Sequence, residues 1–156
     1  PIMAEKFVDE MSRVYRYLLR SNEQGLATLN AELQFIKSYY HLLETRYSGG
    51  VDLQIKAEEQ YLSYMLPPLT LQLLVENAVK HNNILKDSPL HIVIATTGNG
   101  KLIVTNNLQK KTIKVSSTKV GLENIKSKYK LLNHSDVLVM ENEKDFSVIL
   151  PLIKAG

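Results

Sequence analysis

The 156-residue chain contains no cysteine and no tryptophan, and it has only five prolines and seven glycines. Without cysteine there is neither a disulfide framework nor a thiolate zinc site, which fits a cytosolic protein. The four histidines show none of the short spacings of metal-ligating pairs. No apolar run approaches the roughly 18 residues of a membrane span, and no charged-then-apolar leader is present. With 19 basic against 16 acidic residues the net charge is only +3. The basic residues form no dense block, so nucleic acid is not an expected partner. What remains is 44% apolar and 22% charged, an ordinary globular composition. Such a length suits one domain of about 100 residues with a helical extension. The chain opens Pro1-Ile2-Met3, and the expectation is a parent protein that extends further upstream.

Two textures divide the sequence. Phe7, Met11, Val14 and Leu18 step by four, three and four, which predicts a helix over 3–20. Leu33, Ile36, Tyr40, Leu43 and Tyr47 form a second seam, and Gly49-Gly50 supplies the backbone freedom that ends it. The pair reads as a helical hairpin whose seam must pack either on the rest of this chain or on a second copy. From Val51 onward short β-like runs take over: 51–55, 91–95, 102–104, 137–139 and 146–150. Gly98-Asn99-Gly100 and the polar run 141–145 mark hairpin turns between them. Helices are expected over 68–82 and 121–132, the latter through Leu122, Ile125, Tyr129 and Leu132. The predicted fold is α+β: an N-terminal helical hairpin, then a two-layer α/β sandwich with helices on one face of a mixed sheet. Residues 1–48 are assigned to the helical segment and 49–156 to the sandwich.

The densest chemistry lies on the helix over 68–82. Leu71, Leu74, Val75, Ala78 and Val79 share its apolar face, which turns Glu76, Asn77, Lys80 and His81 elsewhere. These four offer a carboxylate, a carboxamide, an ammonium and an imidazole from one rigid element: a proton acceptor, a metal ligand and phosphate donors. Taken alone, they read more simply as an exposed Glu76–Lys80 pair and a helix-capping His81.

The run from Leu66 to Asn82, LPPLTLQLLVENAVKHN, resembles the PPL-x-LQ-x-LVENAIKH segment of LytS-like sensor histidine kinases. Tyr15-Arg16-Tyr17-Leu18 is similar to that family's R-Y-x-L helix. Residues 29–47 resemble its L-x-x-E-L…Y-x-x-L-x-x-x-R-[FY] helix through Glu32, Leu33, Tyr40 and Arg46. Val120-Gly121-Leu122-Glu123-Asn124 is similar to its G-x-GL-x-N segment. The resemblance implies a GHKL-type ATP-binding catalytic domain preceded by part of a dimerisation segment. It makes Asn77 the Mg²⁺ ligand and Glu76 a base that polarises the accepting histidine. Lys80, His81, Asn106, Gly121 and Leu122 would contact the nucleotide, and the segment 107–119, with Lys110, Lys111, Lys114 and Lys119, would cover it.

The implied activity is transfer of the ATP γ-phosphate to a histidine and then to the receiver domain of a response regulator. The implied partners are ATP and a second copy met through the N-terminal helices. The implied setting is the cytoplasmic face of a membrane-anchored parent. Two departures stand out. The family's Asp-x-Gly-x-Gly adenine motif is replaced, with Asn106 at the Asp position and Leu108 at the first Gly, and Lys119 stands where the post-lid segment has its first Gly. No segment like the family's P-H-F-L-F-N acceptor motif occurs; it is expected upstream, so this chain alone is not expected to autophosphorylate. His41, His91 and His134 lie outside the matching motifs. The alternative reading is a kinase-like module that signals through dimerisation without catalysis.

Overall fold

The four-three spacing of the first segment becomes helix α1 (Ile2–Ser21) in a computed structural model of the chain, which describes residues 2–21, 25–109, 118–134 and 136–154. Two residues of strand, β1 (Ala27–Thr28), lead into α2 (Leu29–Tyr47). The Thr28 hydroxyl caps α2 by accepting from the Ala31 amide at 3.1 Å. Ser48 and Gly49, with φ of 47° and 88°, turn the chain out of the helix one residue before the expected Gly49-Gly50 pair. Gly50 has a different task, because a Cβ there would collide with the Ile84 side chain.

Five strands form the expected sheet: β2 (Val51–Lys56), β4 (Leu90–Thr96), β5 (Lys101–Asn107), β6 (Leu138–Glu141) and β7 (Asp145–Pro151). A two-residue strand, β3 (Met65–Leu66), pairs with β1 in a small second sheet that sequence periodicity could not announce. The main sheet runs β2-β4-β5-β7-β6. Only β2 and β4 are parallel, and the crossover this requires carries α3 (Thr70–His81). The expected start at Pro68 moves to Thr70 because Leu69 takes a left-handed φ of 65°. The last helix, α4 (Thr118–Leu131), begins three residues before the expected Gly121.

The helices cover one face of the sheet. Leu71, Leu74, Val75 and Ala78 of α3 meet Ile92 and Ile94 of β4 and Ile125 and Tyr129 of α4 in one apolar cluster. Leu29, Leu33, Ile36 and Leu43 of α2 belong to the same cluster. The seam that periodicity offered to either this chain or a second copy is therefore occupied within this chain. Each fully buried Leu, Ile or Val among them contributes about 1.5–3 kcal/mol by leaving water. In contrast, Phe7, Val8 and Met11 of α1 stay exposed. Among the described residues no helix is long and apolar enough to cross a membrane.

Candidate functional site

α3 presents two faces. Thr70, Leu71, Leu74, Val75 and Ala78 are buried. Glu76 and Lys80 are exposed, and Asn77 and His81 are half-buried along the border between the two faces. The Pro67-Pro68 pair cannot extend the helix backwards, and Leu69 makes no side-chain cap. The first turn is capped from another element. Both carboxylate oxygens of Glu32, a fully buried residue of α2, accept from α3: Oε2 from the Leu69 amide at 3.2 Å and Oε1 from the Leu71 amide at 3.4 Å.

Asn77 lies directly against α4. A Cβ built on Gly121 would stand 3.1 Å from Asn77 Nδ2 and 3.4 Å from its Oδ1. Gly121 therefore sits inside α4 for want of a side chain rather than for an unusual φ, since the described glycines with positive φ are Gly49 and Gly100. This space is what the carboxamide occupies. Asn77 Nδ2 is buried and has no hydrogen-bond partner among the described residues. Such an orphaned amide in a half-buried position is held by packing alone, which native chains rarely tolerate without a functional reason. Leu122, next in α4, packs against the apolar cluster.

Asn106 lies on β5 in register with Ile92 and Phe146, on the helix-covered side of the sheet with Leu102 and Val104. It is buried, and its Nδ2 donates to the Asn107 carbonyl at 2.8 Å. That bond fixes the amide plane and leaves Oδ1 as the acceptor. Leu108, the next departure from the family pattern, donates its amide to the Lys144 carbonyl at 2.8 Å, so it is tied to the β6–β7 turn by its backbone. Just beyond, the chain is laced to the end of α3. Asn82 Oδ1 accepts from the Gln109 amide at 2.7 Å while its Nδ2 donates to the Ala78 carbonyl at 2.8 Å. The Asn83 amide donates to the Gln109 carbonyl at 2.7 Å. The structure thus brings Asn77 against Gly121 and ties the exit of β5 to the C-terminal end of α3. Lys110, Lys111, Lys114 and the side chain of Lys119 lie outside the described residues.

Glu32, Asn82 and Gln109 were not among the expected site residues. Asn82 did carry a signal, as an amide side chain directly after a helix end. Glu32 stood within the matched L-x-x-E-L helix, yet spacing alone could not say that it reaches another element. His41 pairs with Glu44 on α2 at 3.3 Å, and His91 pairs with Asp52 across β2 and β4 at 3.0 Å; both pairs are exposed, although the His91 backbone lies beside the Asn106 register and its amide donates to Asn107 Oδ1 at 2.6 Å.

Electrostatics places α2 beside the site. Burial, reinforced by the Glu76 charge, pushes the Tyr39 phenol up to about 12. Burial also raises Tyr129, with the Glu32 charge adding to it. Both hydroxyls stay neutral in the folded chain above pH 10, where an unfolded tyrosine ionises. The unfolded state then binds fewer protons, so stability is intact below pH 10 and falls as pH rises towards about 12. Urea midpoints measured from pH 9 to 12 should show this decline, and Tyr39→Phe should flatten it.

Residues 1–51 match the family model described as histidine kinase. The sensor histidine kinase/phosphatase LytS of Staphylococcus aureus is 28% identical over 168 residues, which is 95% of this chain and 29% of the relative. The chain thus spans less than a third of the relatives it matches. Among solved structures, the nucleotide-free catalytic domain of histidine kinase ThkA superposes with a TM-score of 0.55 at 14% identity, covering 83% of this chain and 99% of that one. The histidine kinase domain of the Erythrobacter litoralis blue-light activated kinase gives 0.54 at 15% identity, covering 96% and 83%. Full-length ShkA in complex with AMPPNP gives 0.54 at 13% identity, covering 96% and 36%. The chain is similar along most of its length to the sensor histidine kinase/phosphatase LytS, and its sandwich has the fold of histidine kinase catalytic domains.

Proposed function

We propose that this chain, similar to LytS, is the ATP-binding catalytic portion of a sensor histidine kinase, with Asn77 as its metal ligand. The observation that carries this reading is the Asn77 carboxamide, seated in the space left by Gly121: its Nδ2, unpaired among the described residues, is a donor that suits a phosphate oxygen, and its Oδ1 is the atom read as the metal ligand. The donor set fits Mg²⁺, which takes oxygen ligands, keeps several waters and needs only one or two protein oxygens beside those of a phosphate. When bound, Mg²⁺ would neutralise charge on the transferring phosphate.

The chain's own residues would do the rest. Asn77 Oδ1 would hold the metal, and Lys80 and His81, one turn on, would face the phosphates. Asn106 Oδ1 would accept the adenine amino proton, and Gly121 and Leu122 would line the nucleotide's other side. Glu76, exposed on the same helix, would accept a proton from, and so polarise, the histidine that attacks the γ-phosphate. Phosphoryl transfer relies mainly on such positioning and charge neutralisation. The phosphate would pass next to a response regulator receiver domain. A second copy would be met through the N-terminal helices, where exposed Phe7, Val8 and Met11 of α1 leave an apolar stripe. Residues 1–48 would serve as the dimerisation segment and 49–156 as the catalytic domain, on the cytoplasmic side of an anchored parent.

The test is calorimetric titration with a non-hydrolysable ATP analogue, with and without Mg²⁺. Binding that strengthens on adding the metal is expected. No heat at millimolar nucleotide would favour the second reading, a kinase-like module without catalysis, for which the Asn106 substitution is the specific argument.

A further inference from the structure

We infer that Glu32 is a positioning residue, through which α2 sets the height of α3 and so holds Asn77 in its seat on Gly121. The significance for nucleotide binding rests on the reading proposed above, whereas the capping geometry stands without it.

A helix begins with amide groups that have no partner within it. In α3 the residue that should cap them, Leu69, has no polar side chain and takes a left-handed φ of 65°. The Thr70 hydroxyl is turned backwards and donates to the Pro67 carbonyl at 2.6 Å. Glu32 takes over, and it uses both oxygens on two amides, Leu69 and Leu71. A two-point attachment resists both sliding along the helix axis and rotation about it. The carboxylate is fully buried, and an anion at a helix N-terminus is favoured by the aligned peptide dipoles. Because burying a carboxylate is costly unless hydrogen bonds offset it, Glu32 is placed there to bond to α3 rather than merely to pack.

The attachment matters at the other end of the helix. Asn77 stands two turns beyond the cap, and α3 is a rigid rod at about 1.5 Å rise per residue. The seat on Gly121 leaves 3.1–3.4 Å between the carboxamide and where a Cβ would stand. A slide of a fraction of one residue's rise is enough to unseat the carboxamide. α2 is in turn pinned at its own start, where the Leu29 and Asn30 amides donate to the Tyr64 and Leu62 carbonyls at 2.7 and 2.9 Å. The chain of fixed points runs from the 62–64 loop through α2 and Glu32 to α3 and Asn77.

Two measurements test this. In the unaltered protein, amide hydrogen exchange at Leu69 and Leu71 should be slow, although first-turn amides ordinarily exchange freely; rapid exchange at both overturns the cap without any variant. In Glu32→Gln, which keeps the shape and one acceptor, one of the two amides should lose protection and the Asn77 side-chain amide resonances should move. The ratio of nucleotide affinities with and without Mg²⁺ should fall about tenfold, the usual scale for losing a group that orients a metal ligand. Lower thermal stability with unmoved Asn77 resonances and an unchanged ratio would mean a merely structural carboxylate and would overturn the proposal. If the unaltered protein shows no metal-dependent binding, the functional reading fails, and the Asn77 resonances in Glu32→Gln still decide the role of Glu32.

Discussion

Replacing Asn77 by alanine is expected to remove Mg²⁺-dependent nucleotide binding while leaving the melting temperature unchanged or a few degrees higher. The two effects have separate origins. A hydrogen-bonding or ligating contact to a charged group is worth about 1.5–3 kcal/mol, so its loss weakens affinity by roughly 10- to 100-fold. The nucleotide-free protein, however, carries Asn77 Nδ2 buried and unpaired among the described residues. Such a group costs about 1–3 kcal/mol, which alanine would relieve. Alanine is also the better helix former in the second turn of α3. Against this stands the loss of a few packed atoms beside Gly121. Calorimetry paired with thermal unfolding in the absence of nucleotide checks both halves. An ordinary structural asparagine would do the reverse, losing stability and leaving binding alone.

Asn106→Asp should pull in the opposite direction. The change restores the carboxylate that the resembling family uses to accept from adenine, and a charged acceptor makes a bond roughly twice as strong as a neutral one. Affinity for the adenine nucleotide should rise by up to about tenfold on that account. The folded chain without ligand pays for it in stability. Asn106 is buried, and its Nδ2 donates to the Asn107 carbonyl; an aspartate would set an oxygen against that carbonyl and bury a charge. A destabilisation of about 2 kcal/mol follows from the lost bond and the unpaired group. Saturating nucleotide should recover part of that loss in a thermal scan. A variant that binds no better would show that Asn106 does not face adenine.

Much of this architecture was legible in the residue pattern, for reasons particular elements make plain. The run that became β2 alternates at Val51, Leu53 and Ile55, those that became β4, β5 and β7 are rich in Val and Ile, and the Gly98-Asn99-Gly100 turn sits where a hairpin needs it, with Gly100 at a φ of 78°. α3 was visible because its apolar face repeats at helical spacing. β1 and β3 were not, since two residues each carry no period and owe their pairing to the placement of α2. The seam of α2 was visible but its occupant was not: Leu33 and Ile36 would look the same facing a second chain as facing this sheet. At the site, the sequence pointed to Asn77 and Gly121 separately. Their contact depends on two helices about 40 residues apart in the chain, a relation that local spacing does not encode. Glu32 is the sharpest case, because a glutamate in a helix ordinarily reads as solvent-facing.

The link between α2 and the sheet consists of Ser48, Gly49 and Gly50 alone, and it is short and sharply folded, with Gly50 wedged against Ile84. Such a joint has almost no slack. Because α2 is also sunk into the apolar cluster along Leu29, Leu33 and Ile36, any torque delivered to it must turn the sheet with it. The described residues from Ala27 through β2 therefore respond as a single lever arm.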